Sequence, residues 1–124
     1  MSGLRQPGLQ RELVAAAASV TITPGDAGKT FHTTGATGTI TLTFQSAALF
    51  QPGDSIHVLA VADQTLTLAF TAGQLITFNN GAATSVSLQT SSEKIGGGFI
   101  LTCLTSSKWH CLVLCEETQT VTVA

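Results

Sequence analysis

Gly28-Lys29-Thr30 ends like a phosphate-binding loop and is the first stretch of this chain to examine for chemistry. Such a loop needs a glycine five residues before the Gly-Lys pair and a helix after it, so that backbone amides and the helix dipole hold the phosphates together. Here the earlier position is Thr23, and the residues that follow, Phe31-His32-Thr33-Thr34-Gly35, do not open a helix. The stretch reads instead as a turn, in which Asp26 bonds backbone amides two residues on and Gly28 takes an unusual φ.

The other reactive side chains are equally dispersed. Of the three cysteines, Cys103, Cys111 and Cys115, the last two would lie about 13 Å apart on one strand, too far for a shared metal or a disulfide. Cys103 faces Cys111 if residues 99–115 form a hairpin with a three-residue loop, and faces His110 if the loop is the two residues Ser106-Ser107. Buried reduced thiols, behaving as small apolar residues, are the expectation. His32, His57 and His110 fall on different strands without metal spacing. Only Glu116 and Glu117 adjoin among the carboxylates, and strand neighbours point to opposite faces, so no acid–base pair is expected. No nucleophile carries a local base-and-orienter signature. The expectation is a chain that is not an enzyme, with no cofactor, no metal and no small-molecule substrate. Trp109 shares a phase with Cys111 and Val113 and is expected in the core.

The elements that would position these side chains are strands. Val20/Ile22 and Ile40/Leu42/Phe44 alternate with threonines, as half-buried strands require. Pro52-Gly53-Asp54 reads as a turn. Ile56–Ala62 is apolar on both phases and is expected to be buried on both faces, with a tight hairpin at Asp63-Gln64 leading to Thr65–Phe70. Leu75–Phe78 reads as a strand ending at an Asn79-Asn80-Gly81 turn, and Thr84–Leu88 as another strand. Residues 90–98 have loop composition. Phe99–Leu104 and Trp109–Cys115 read as a hairpin, again apolar on both phases, and Val121/Val123 as an edge strand or extended arm. The threonine rows Thr39/Thr41/Thr43 and Thr65/Thr67 are either solvated or paired across a subunit boundary. The fold class is all-β: a single-domain antiparallel sandwich or barrel of about nine short strands with an extended N-terminal arm.

With 124 residues the chain makes one domain that needs no staples. Only 10% of its residues are charged against 44% hydrophobic, well below the ~25% charged of ordinary soluble domains. Much of its surface is therefore expected to lie against other subunits. A net charge of −2 with five basic residues argues against a nucleic-acid partner. Arg11 and Glu12 interrupt the apolar run that an export signal would need, and no run approaches the ~20 residues of a membrane span. Synthesis in a reducing cytoplasm is the expectation. Residues 1–18 carry no strand period and Leu9–Ala18 has the propensity for a short helix; they read as a frayed terminus or as an arm crossing onto a neighbour. Residues 19–124 form the β domain.

Ile22-Thr23-Pro24-Gly25-Asp26-Ala27-Gly28-Lys29-Thr30, Gly38-Thr39-Ile40-Thr41-Leu42-Thr43, Pro52-Gly53-Asp54-Ser55-Ile56-His57-Val58 and Lys108-Trp109-His110-Cys111-Leu112 together are similar to a β domain recurrent in tailed-bacteriophage virion proteins, found in tail fibres and spikes and in head decoration, or cement, proteins. The resemblance runs from Ser19 to Cys115. It implies a structural protein of the virion that forms homotrimers. The size of the chain and its basic arm fit a capsid decoration protein better than a fibre; the alternative is a receptor- or glycan-binding module of a tail. In the decoration reading the partner is the major capsid protein, and the arm residues Leu4, Arg5, Arg11, Leu13 and Val14 lie across neighbouring coat subunits on the capsid surface.

Overall fold

Strands with one apolar phase need a second layer to cover it. The computed structural model describes residues 11–89, 95–115 and 121–124. It meets this need with two mixed sheets of seven and five strands whose inner phases share one core. The strands are β1 (Glu12–Ala15), β2 (Val20–Ile22), β3 (Lys29–His32), β4 (Ile40–Phe44), β5 (Ser55–Leu59), β6 (Leu66–Ala69), β7 (Leu75–Thr77), β8 (Asn80–Ala83), β9 (Ser85–Leu88), β10 (Gly98–Thr105), β11 (Lys108–Leu114) and β12 (Val121–Val123). The large sheet runs β1-β3-β5-β10-β11-β7-β8 and the small one β12-β9-β6-β4-β2.

The first six strands wind as a flattened coil. β1, β3 and β5 lie parallel in the large sheet, and β2, β4 and β6 lie parallel in the small one. A parallel pair requires a crossover connection, and here each crossover is itself a strand of the opposite sheet. The remaining strands close the sheets mainly by antiparallel pairing: β10 with β5 and β11, β7 with β8, β9 with β6, and β12 with β9. Between the sheets, Phe44 stacks on Phe70 with centroids 4.5 Å apart. Trp109 meets Phe50 edge-on at 4.7 Å and Phe44 at 5.5 Å. Trp109, Leu42, Leu68, Leu101 and Ile56 are fully buried, each such side chain contributing about 1.5–3 kcal/mol of hydrophobic stabilisation.

The all-β sandwich is as expected, and several details differ. The sheets are mixed, not antiparallel, and there are twelve strands among the described residues. Asp63-Gln64 does not close a hairpin: β5 and β6 belong to different sheets, because an alternating strand specifies which face is buried but not which sheet it joins. Ile56–Ala62 is covered on one side only, leaving Leu59 and Val61 exposed. The β7–β8 turn sits at Phe78-Asn79, ahead of the expected Asn79-Asn80-Gly81, with Thr77 opposite Asn80. In residues 11–18 the short helix does not form; Glu12–Ala15 is a strand of the domain's own sheet, so the 18/19 boundary of the arm does not mark the edge of the fold. Asp26 caps backward, its carboxylate accepting from the Thr23 amide at 2.9 Å, while Gly28 does take a positive φ of 86°.

Candidate interaction surface

Strand alternation and the pairing registers fix which residues point away from the core. On the small sheet the outward positions carry hydroxyls almost without interruption. Thr41, Thr67, Ser87 and Thr122 form one cross-strand row, and Thr21, Thr43, Ala69 and Ser85 form the next. This joins the threonine stripes expected from the sequence into a single polar face.

The large sheet presents something different. Its outward positions include Leu13 on β1, Leu59 on β5, Ile100 on β10 and Leu112 and Leu114 on β11; Leu13 is 68% exposed and Leu112 49%. The three histidines, unrelated in sequence, all lie on this face: His32 opposite Leu59, His57 between Thr30 and Ile100, and His110 between Thr102 and Ile76. No carboxylate occupies an outward position on any of these strands. Gly98, opposite Leu59, permits the close approach of β5: a Cβ there would stand 2.9 Å from the Val58 carbonyl and 3.3 Å from the Leu59 side chain.

Among the described residues, Arg11 and Lys108 are the cations of this face, and both are held by neutral acceptors of the chain itself. Arg11 donates from Nε to Thr30 Oγ1 (3.0 Å), from Nη1 to Ser55 Oγ (3.1 Å), and from Nη2 to the carbonyls of Lys29 (2.9 Å) and Ser55 (3.0 Å). It thus clamps β1 across β3 to β5. Lys108 Nζ donates to the Gly73 and Gly81 carbonyls at 2.6 and 2.7 Å, strapping β11 to the β7–β8 hairpin. Burial, and to a lesser degree the Arg11 charge, hold the His57 imidazole below its ordinary pKa. His32 Nδ1 lies 2.9 Å from Thr34 Oγ1.

At one edge of the face β11 and β7 diverge. Their parallel pairing covers only Trp109↔Leu75 and His110↔Ile76. Beyond it a cleft of about 290 Å³ opens, lined by Ile76, Phe78, Asn79, His110, Leu112 and Val113 among others. Phe78 and Asn79 have φ of 46° and 61°, the two positive values of a type I′ turn. A phenylalanine in this conformation costs about 1–2 kcal/mol, and Phe78 is 59% exposed.

Arg11, Leu13 and Val14, expected as arm contacts, thus have separate fates. Arg11 is a clamp, Val14 packs against the core, and Leu13 alone faces out. Leu4 and Arg5 lie outside the described residues. The cysteines do not meet: the 105–108 turn is the two-residue form, but a bulge between Cys103 and Thr105 shifts the register so that Cys103 faces Trp109 and Cys111 faces Leu101. Burial pushes the Cys111 thiol up to about 12. Among the described residues no three His, Cys, Asp or Glu side chains gather as metal ligands, and Lys29 pairs with Asp26 at 3.1 Å. The exposed leucines and Phe78 were not anticipated as a surface. For Leu59, Leu112 and Leu114 the signal was the second apolar phase of Ile56–Ala62 and Trp109–Cys115, the first of which was expected to be buried on both faces; Leu13 and Phe78 carry no such signal. No known protein family matches this chain, and no curated protein matches its sequence.

Proposed function

We propose that this chain is an assembly subunit and not an enzyme: a capsid decoration, or cement, protein that binds as a homotrimer to the outside of a phage head and stabilises the shell. The carrying observation is the outer face of the large sheet, where aliphatic side chains stand exposed with no carboxylate among the described residues of its outward positions. Exposed apolar faces of this kind mark protein contacts. The low charge of the chain supports the same reading, as does the resemblance of its turns and strands to virion β domains. In this account three linked copies bind a repeating coat lattice with high effective concentration. Leu13, together with Leu4 and Arg5, remains the proposed contact of the N-terminal segment with the major capsid protein. Arg11 and Val14 act within the subunit.

A second reading, a receptor- or glycan-binding module of a tail, is favoured by the cleft beside Phe78, since an exposed aromatic ring at a cleft offers a stacking surface to sugars. Immunogold labelling of purified particles separates the two. Label over the heads supports decoration, and label confined to the tails supports the module. Particles without label overturn both.

A further inference from the structure

We propose that Asn80 is a modification site: in the folded chain the Gly81 nitrogen closes on the Asn80 carboxamide, ammonia leaves, and water opens the ring to aspartate or isoaspartate at position 80.

Asn79 and Asn80 are the only asparagines of the chain, and Asn80 alone precedes a glycine. The β7–β8 register passes from Leu75↔Ala83 to Thr77↔Asn80, so that Gly81 and Ala82 together stand opposite the single residue Ile76. Such a β-bulge leaves its extra residue out of the ladder. Ile76 itself pairs on its other side with His110 of β11. β8 is the last strand of its sheet, and Asn80, Gly81 and Ala82 are all exposed.

The Asn80 side chain is already turned toward the attacking atom. Its Oδ1 accepts from the Ala82 N–H at 2.9 Å, the turn that asparagine makes with an amide two residues on. Reaching that amide lays the carboxamide along the intervening Asn80–Gly81 peptide and brings Cγ beside the Gly81 nitrogen, which is the proximity the reaction needs. The same N–H points at the oxygen on which negative charge develops during attack, as an oxyanion donor must. Glycine at position 81 places no Cβ next to the nucleophile. Lys108 Nζ, donating to the Gly81 carbonyl at 2.7 Å, sets a permanent positive charge close to the amide that must lose its proton, and a neighbouring opposite charge favours the ionised form.

Atoms and electrons balance with water alone. The Gly81 N–H gives its proton to solvent base, the Gly81 nitrogen bonds to Asn80 Cγ, and the Cγ–Nδ2 bond breaks as Nδ2 takes protons from water and departs as ammonia. Water then adds to one of the two carbonyls of the five-membered imide. Cleavage of the new Cγ–N bond leaves aspartate, and cleavage of the original peptide C–N bond leaves isoaspartate. Either product adds a negative charge beside the Lys108 strap. Isoaspartate also routes the main chain through the side-chain carbon, which disturbs the Thr77↔Asn80 register and carries the Gly81 carbonyl away from Lys108 Nζ, loosening the β7–β8 hairpin from β11.

The test is tandem mass spectrometry of the full chain held at pH 8.0 and 37 °C, with circular dichroism confirming the β fold in every sample and a free peptide of residues 76–84 incubated beside it. The expected result is a gain of about 1 Da confined to position 80, arising at least as fast in the folded chain as in the peptide. Gly81→Ala is accommodated, since an added Cβ would meet no atom within 4 Å, and should slow the gain by roughly tenfold. Lys108→Gln should slow it as well, and Lys108→Arg should not. A folded chain that stays unmodified at Asn80, reacts there more slowly than the peptide, or is modified at Asn79 instead overturns the site. A folded Lys108→Gln variant that reacts at the wild-type rate or faster overturns the part given to the lysine charge.

Discussion

The two sheets share one core, yet their outer faces have opposite character. The small sheet turns rows of threonine and serine outward, and the large sheet turns out leucine, isoleucine and histidine. Hydroxyl side chains on a strand satisfy the β preference for branched residues while remaining content in water. Aliphatic side chains in the same positions gain nothing from solvent. The difference teaches that period-two alternation is a rule about the inner face. What stands on the outer face reports whether that face is meant for water or for another surface.

The comparison is broken most severely from the core that both faces share. Trp109→Ala empties the contact with Phe44, Phe50 and Phe70 and should cost about 3–5 kcal/mol, a large fraction of the stability of such a domain. Urea unfolding measures it, and both sheets should lose protection from hydrogen exchange together. A smaller loss distinguishes them. Arg11→Ala removes four hydrogen bonds from a partly buried cation and should cost about 2 kcal/mol. Amide exchange should quicken in Leu13–Ala15 and remain slow in β4 and β6; uniform quickening would mean that the clamp supports the whole sandwich.

Titration sharpens the contrast further, because Cys111 lies beneath the large sheet. Its thiol is held up to about 12 against an ordinary value of 9.0, chiefly by burial. The folded chain therefore keeps a proton that the unfolded chain releases above pH 9. Stability from this group is intact below pH 9 and falls as pH rises toward 12, by at most about 4 kcal/mol. A Cys111→Ala variant should show a flatter alkaline limb in thermal unfolding. The smallest effect is a gain. Phe78→Asn relieves the left-handed phenylalanine in the β7–β8 turn and should stabilise by about 1 kcal/mol, seen as a raised urea midpoint with unchanged slope.

The sequence made the strands legible through their alternation, and the inner residues Ile22, Leu42, Phe44, Leu66, Leu68 and Trp109 followed from it. The winding was hidden. Asp63-Gln64 has the length of a hairpin turn, and only long-range packing sends β6 to the other sheet. The register at Cys103 was hidden for a similar reason, because a one-residue bulge at Leu104 leaves no mark in composition. The interaction surface was half legible. A second apolar phase was visible in two segments, but the convergence of His32, His57 and His110 depends on the strand order β3-β5-β10-β11, which local pattern does not determine.

The coil of the first six strands carries a consequence for how the chain acquires its shape. Each of its rungs settles on one made only 17 to 27 positions earlier, as the pairs Glu12↔Lys29, Val20↔Leu42, Ile40↔Leu66 and Thr30↔His57 record, so the amino-terminal half can stack progressively as it leaves the ribosome. The sole indole arrives with the eleventh strand. Its emission should therefore change only after the earlier rungs have stacked, giving stopped-flow refolding a natural reporter of closure.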